Sequence, residues 1–89
     1  MRKALVRKQL VLLGRKIREL RRHKGLSQEE LAARAEIHPT YLSGIECGKR
    51  NTSLAAFFSI ARALNVKPAE LVSEVLRDSP PAPPSSKRG

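Results

Sequence analysis

Between Ser27 and Gly48 the sequence carries two helix beginnings and two helix endings, with almost no chain left over to join them. Ser27-Gln28-Glu29-Glu30 is a capping box: the Ser27 hydroxyl accepts the backbone N–H of Glu30, and the Glu30 carboxylate accepts the N–H of Ser27. Leu31, Ala32 and Ala35 then face one way, and the helix ends near Ala35. Pro39 suits the first position of a second helix, where a missing N–H costs nothing, and Cys47-Gly48 closes that helix. Helices this short are marginal alone in water, so packing must hold them. The Glu36-Ile37 link is too tight for the two to lie antiparallel; Ala32 and Ala35 let them approach closely, and Ile37 fills the corner.

The remaining chain reads as three further helices and a tail, with no run of β-branched residues alternating with polar ones over a strand's length. The spacing predicts a first helix from about Lys3 to His23, with Leu5, Val6, Leu10, Leu13, Ile17 and Leu20 as its apolar stripe and Gly25 as its terminator. Ser53 caps a fourth helix running to about Leu64, with Leu54, Phe57, Ile60, Ala61 and Leu64 inward. Pro68 opens a fifth, in which Leu71, Val72, Val75 and Leu76 are apolar. Residues 79–89, rich in proline and serine, have nothing to bury and read as a disordered end.

The formal charge of +10 is unevenly placed. Residues 1–26 hold ten Lys/Arg against the single acid Glu19, whereas residues 27–78 are nearly balanced. A basic block beside a near-neutral domain suits a polyanionic partner, nucleic acid before acidic lipid or an acidic protein, although a merely soluble surface would carry the same charge. At 89 residues the chain allows one small domain and no deep enclosed cofactor cleft. Its single cysteine excludes a disulfide framework and any multi-cysteine metal site. The longest apolar runs, Leu10–Leu13 and Leu54–Phe58, are far below the ~20 residues of a membrane span. The start is interrupted by charge too soon for a secretory signal. We therefore expect a cytoplasmic protein that does not engage membranes. Cys47, His23 and His38 offer no nucleophile–base–orienter set, and His38 has no second ligand at helical spacing. The expectation is of no enzyme, no metal, no cofactor and no small-molecule ligand.

A bihelical unit like residues 27–47 presents its second helix outward, the arrangement that fits a helix into the ~12 Å DNA major groove, although an ordinary helical hairpin gives a similar pattern. The detailed residues say more. Leu26-Ser27-Gln28-Glu29-Glu30-Leu31-Ala32, then Tyr41-Leu42-Ser43-Gly44-Ile45-Glu46, then Gly48-Lys49-Arg50, then Ile60-Ala61-Arg62-Ala63-Leu64-Asn65-Val66 closely resemble the Xre family, the lambda-repressor-like helix-turn-helix transcription regulators. The resemblance covers residues 13–76, and Thr40 to Glu46 looks most like the controller proteins of restriction–modification systems. It implies an all-α, five-helix lambda-repressor-like domain over residues 13–78, preceded by a basic extension of helix 1 over residues 1–12. It also implies a sequence-specific regulator binding double-stranded DNA as a dimer, with helix 39–47 in the major groove. The alternative is a bacterial or phage-type autorepressor of the antitoxin kind, whose main partner is a toxin protein, although the Pro/Ser tail lacks the apolar residues to wrap one.

The resemblance assigns roles by position. Gln28, opening the first helix of the motif, binds a DNA phosphate, which fits an amide at a helix N-terminus. Arg21 pairs with Glu46 and fixes the recognition helix against helix 1. Lys49, Arg50 and Asn51 grip the backbone and can reach bases. From the periodicity itself, Leu42 and Ile45 face the core, leaving His38, Pro39, Thr40, Ser43, Gly44 and Cys47 outward with Tyr41 at the edge. Thr40 and Ser43 offer hydroxyls, and the Thr40 methyl suits a thymine methyl. Tyr41 either donates to DNA or covers the core; Gly44 either lets the DNA backbone approach or is merely tolerated near the helix end.

Two departures stand out. Many relatives head the recognition helix with glutamine or arginine, whereas this chain has His38-Pro39, which leaves more of the reading to Arg50, Asn51 and DNA shape. Relatives also begin nearer Leu13; here Arg2, Lys3, Arg7 and Lys8 precede it, as an extra phosphate-binding or interface element. Finally, Leu71, Val72, Val75 and Leu76, with Phe58, exceed what so small a core needs and are expected to form the dimer interface; the alternative is that Leu71 and Val75 simply close the core of the monomer.

Overall fold

The computed structural model describes residues 2–78, and among them it contains five helices and no strand: α1 (Arg2–His23), α2 (Gln28–Ala35), α3 (Pro39–Glu46), α4 (Leu54–Leu64) and α5 (Pro68–Asp78). The Pro/Ser-rich segment, read as disordered, lies outside the described residues.

Local chemistry sets the boundaries. At the start of α2 the capping box is complete, with Glu30 N–H donating to Ser27 Oγ at 3.0 Å and Ser27 N–H donating to the Glu30 carboxylate at 2.8 Å. The Glu30 carboxyl sits below its ordinary value, chiefly because the Ser27 backbone N–H donates to it, with the Ser27 hydroxyl adding to the effect. α2 ends with Glu36 in the left-handed conformation (φ 59°), and α4 ends in the same way at Asn65 (φ 59°). In each case the next residue, Ile37 or Val66, bonds back to a carbonyl five residues earlier and rests against the core. α3 stops at Glu46 with Cys47 as its cap, one residue short of the sequence expectation.

α1 lies against α3 and α5, α2 lies against α3 and α4, and α4 meets α5. Ile17, Leu31, Leu42, Ile45, Ile60, Leu64 and Leu71 are fully buried where these helices converge. Burying each such side chain contributes about 1.5–3 kcal/mol. α1 sits on α3 through Gly14. A Cβ there would collide with the carbonyl oxygen of Ile45 and lie 2.6 Å from that of Glu46.

Three expectations are corrected. Leu71 has no exposed surface: α5 packs against α1 and α4, so the side chain closes the core of its own chain and cannot meet a partner. Val72 and Val75 are half-buried against the same core. Leu54, placed inward by spacing, is 68% exposed because it stands at the first turn of α4, and Ala56 takes the buried position. Val6, placed in the apolar stripe by spacing, is likewise exposed, at 43%.

Candidate nucleic-acid interface

One side of α3 is consumed by the core, since Leu42, Ile45 and Glu46 are buried. Pro39, Thr40 and Cys47 are exposed on the remaining side, with Ser43 and Gly44 half-exposed. His38 is the cap of this helix: its Nδ1 accepts the Thr40 N–H at 3.1 Å. That bond puts the proton of the neutral ring on Nε2, so the outward side offers one donor in place of the two-point fork of arginine or glutamine.

The chain after α3 folds back onto it. Lys49 and Arg50 both donate backbone N–H groups to the Gly44 carbonyl, at 2.9 and 3.1 Å. The Arg50 side chain then crosses the helix, and a Cβ on Gly44 would lie 2.6 Å from Arg50 Cγ. Beyond that gap the guanidinium stands 5.9 Å from the centre of the Tyr41 ring, within cation–π range. Gly44 is therefore a seat for the stem of Arg50, a reading outside both sequence alternatives. Tyr41 is half-buried against the core, and its hydroxyl oxygen accepts the Ser53 N–H at 3.0 Å, joining α3 to the start of α4. That donated hydrogen bond is the main reason its phenol sits below the ordinary value, with Arg50 nearby adding to the effect.

Beneath this surface lies a buried ion pair. Arg21 Nε donates to Glu46 Oε2 at 2.7 Å, and a terminal Arg21 nitrogen donates to Oε1 at 3.0 Å. The other terminal nitrogen holds the Leu26 carbonyl at 2.8 Å. Gln28 Nε2 also donates to Glu46 Oε1, at 3.0 Å, which ties the start of α2 to the end of α3 and uses one of its two amide hydrogens. Arg18, 3.8 Å from the same oxygen, adds a second cation that sequence reasoning did not single out.

Thr40, Tyr41, Ser43, Gly44 and Arg50 thus share one surface, with Gln28 linked to it through Glu46. Lys49 instead faces the first turns of α1, and Asn51 is exposed in the loop that follows. Phe58 (49% exposed) and Leu76 (69% exposed) lie on α4 and α5. Among the described residues no three His, Cys, Asp or Glu side chains gather as a metal site, and no helix is long and apolar enough to cross a membrane. Gly14 was the missed fold residue; its signal was a glycine inside a helical pattern, where it costs about 1 kcal/mol against alanine.

Residues 17–71 match the helix-turn-helix family HTH_3. The chain is 44% identical over 62 residues to an HTH-type transcriptional regulator, y4dJ, of Sinorhizobium fredii, covering 70% of this chain and 80% of that one. It is 44% identical over 63 residues to the control protein C.BamHI of Bacillus amyloliquefaciens, covering 70% and 78%. Among solved structures, the restriction–modification controller protein C.AhdI of Aeromonas hydrophila superposes with a TM-score of 0.69 at 47% identity, over 70% of this chain and 94% of that one. The chain belongs to the lambda-repressor-like helix-turn-helix family of transcriptional regulators, with restriction–modification controller proteins among its relatives.

Proposed function

We propose that this helix-turn-helix regulator recognises a specific double-stranded DNA sequence as a homodimer, each copy laying α3 in the major groove. The observation that carries this reading is the division of α3: Leu42, Ile45 and Glu46 are buried, while Thr40 is exposed and Ser43 and Gly44 are half-exposed, with the stem of Arg50 resting on Gly44. An α3 packed on both sides would have no such role.

In this reading Arg50 is the principal base reader, suited to the O6 and N7 acceptors of guanine, and the ring of Tyr41 limits where its guanidinium can go. Thr40 and Ser43 offer hydroxyls, the Thr40 methyl contacts thymine, and Pro39 supplies apolar contact. His38 Nε2 and the second amide hydrogen of Gln28 meet phosphates or base acceptors, and Lys49 and Asn51 follow the backbone. Residues 13–78 form the binding domain and residues 1–12 its basic extension. The protein acts in the cytoplasm, on the nucleoid.

The dimer forms through Phe58 and Leu76, with the partly covered Val72 and Val75 beside them; Leu54, one turn from Phe58, widens the apolar surface. A symmetric pair of this kind sets two recognition helices about one DNA turn, ~34 Å, apart. Selection from a random duplex library, followed by footprinting on the DNA flanking the protein's own gene, tests the proposal. The expected result is a protected pair of inverted half-sites. No preference for any duplex over random competitor would overturn it.

A further inference from the structure

We propose that the first turns of α1 and the Gly48-Lys49 segment form a second basic seat, which holds the sugar-phosphate backbone of the bound duplex beyond the reach of α3. This rests on the reading of the protein as a duplex-DNA binder and extends its footprint.

Lys3, Val6, Arg7 and Leu10 follow one another at helical neighbour spacing, so they make one stripe along α1. With Gly48 and Lys49 that stripe lines a groove. The groove exists because the loop rests directly on the helix. A Cβ on Gly48, whose φ is +75°, would lie 2.8 Å from Val11 Cγ2 and 2.9 Å from Val11 Cα. With no side chain between them, Lys49 comes to the rim facing Lys3 and Arg7. All three cations are exposed, and among the described residues no carboxylate lines the groove.

Charge and continuity favour a phosphate backbone. Lys49 belongs to the groove, and its neighbour Arg50 lies across α3; both N–H groups are held by the Gly44 carbonyl. A strand leaving the α3 surface past Arg50 therefore meets the groove next. The stability of α1 does not account for these cations, because its first turn has no acid and basic residues there oppose the helix dipole. Lys3 to Leu10 precede residue 17, where the family match begins, whereas Gly48 and Lys49 lie within it.

The test uses the full chain and a fluorescent 30-base-pair duplex of mixed sequence, with affinity measured across salt concentrations. Lys3→Ala/Arg7→Ala is expected to make the log–log salt slope shallower by about 2, at roughly 0.9 for each phosphate no longer neutralised. Arg62→Ala/Lys67→Ala removes the same charge from the last turn of α4 and the link that follows it, and is expected to leave the slope unchanged. An unaltered slope for the first variant, or an equal fall in both, overturns the proposal while leaving duplex binding intact. Failure of the wild type to bind any duplex overturns both readings. Binding to phosphatidylglycerol vesicles that Lys3→Ala/Arg7→Ala abolishes, with the DNA slope unmoved, would assign the groove to lipid and also overturn it.

Discussion

The Arg21 guanidinium and the Glu46 carboxylate meet at two points, 2.7 and 3.0 Å, with the Glu46 side chain wholly out of solvent. Their positions, 25 residues apart in sequence, join α1 to the last residue of α3. Gln28 donates to the same carboxylate, so three helices converge on one anion. The orientation of α3, and with it the direction of its exposed side, is set from below by this anion.

Removing the carboxylate leaves Arg21 charged and unpaired in the interior. Glu46→Ala should cost about 3–5 kcal/mol in urea unfolding, the range for breaking one partner of a buried pair. It should also lose DNA binding under conditions where helical circular dichroism shows the variant folded, because α3 loses its anchor while Thr40, Ser43 and Arg50 are untouched. Affinity equal to wild type would refute the positioning role.

Gly14 tests the same α1–α3 contact from the other side. Alanine is the better helix former by about 1 kcal/mol, so an exposed glycine in α1 would gain from the change. At Gly14 the added methyl meets the backbone carbonyls of Ile45 and Glu46, which cannot turn aside. Gly14→Ala should destabilise by about 1–3 kcal/mol net, the cost of overpacking, seen as a lower urea midpoint. A raised midpoint would show that α1 sits further from α3.

What was legible in the sequence was local. The capping box at Ser27, the proline at the head of α3 and the glycine after Cys47 each act within a few residues of themselves, and each lies where the spacing put it. Leu71 misled because its burial depends on α5 lying against α1, a contact far away in sequence. Leu54 misled because periodicity says nothing about how far a core extends over the first turn of a helix. The site was half legible for the same reason. The outward residues of α3 follow from helical period, whereas the seat of Arg50 on Gly44 follows from a loop that doubles back.

Tyr41 is the chain's only tyrosine and there is no tryptophan, so its absorbance reports one group. The Ser53 N–H donated to its oxygen, followed by smaller contributions that include Arg50, lowers its phenol below the ordinary value. The folded protein should titrate at 295 nm with a midpoint below that of the urea-unfolded chain. The native state then binds fewer protons than the unfolded one between the two midpoints, so the Tyr41 contribution to stability rises with pH through that window. It is fully present above the unfolded midpoint and is lost as pH falls through the folded one. Coincident midpoints would mean that the Tyr41–Ser53 link is not formed in solution.

Gly44 should separate stability from binding. Its added methyl would lie 2.6 Å from Arg50 Cγ, and unlike the carbonyls facing Gly14, that neighbour is a flexible side chain able to move off. The shift forced on the Arg50 stem offsets part of the roughly 0.8–1 kcal/mol helix-propensity gain, so Gly44→Ala should unfold at a urea concentration close to that of wild type. The displaced Arg50 no longer crosses α3, so affinity for the selected operator should fall by about 1–3 kcal/mol, the worth of one good base contact. Arg50→Ala should show a similar loss, and the double variant should bind no worse than Arg50→Ala alone, because the glycine acts through the arginine. Full additivity of the two losses would instead make Gly44 an independent point of contact with DNA.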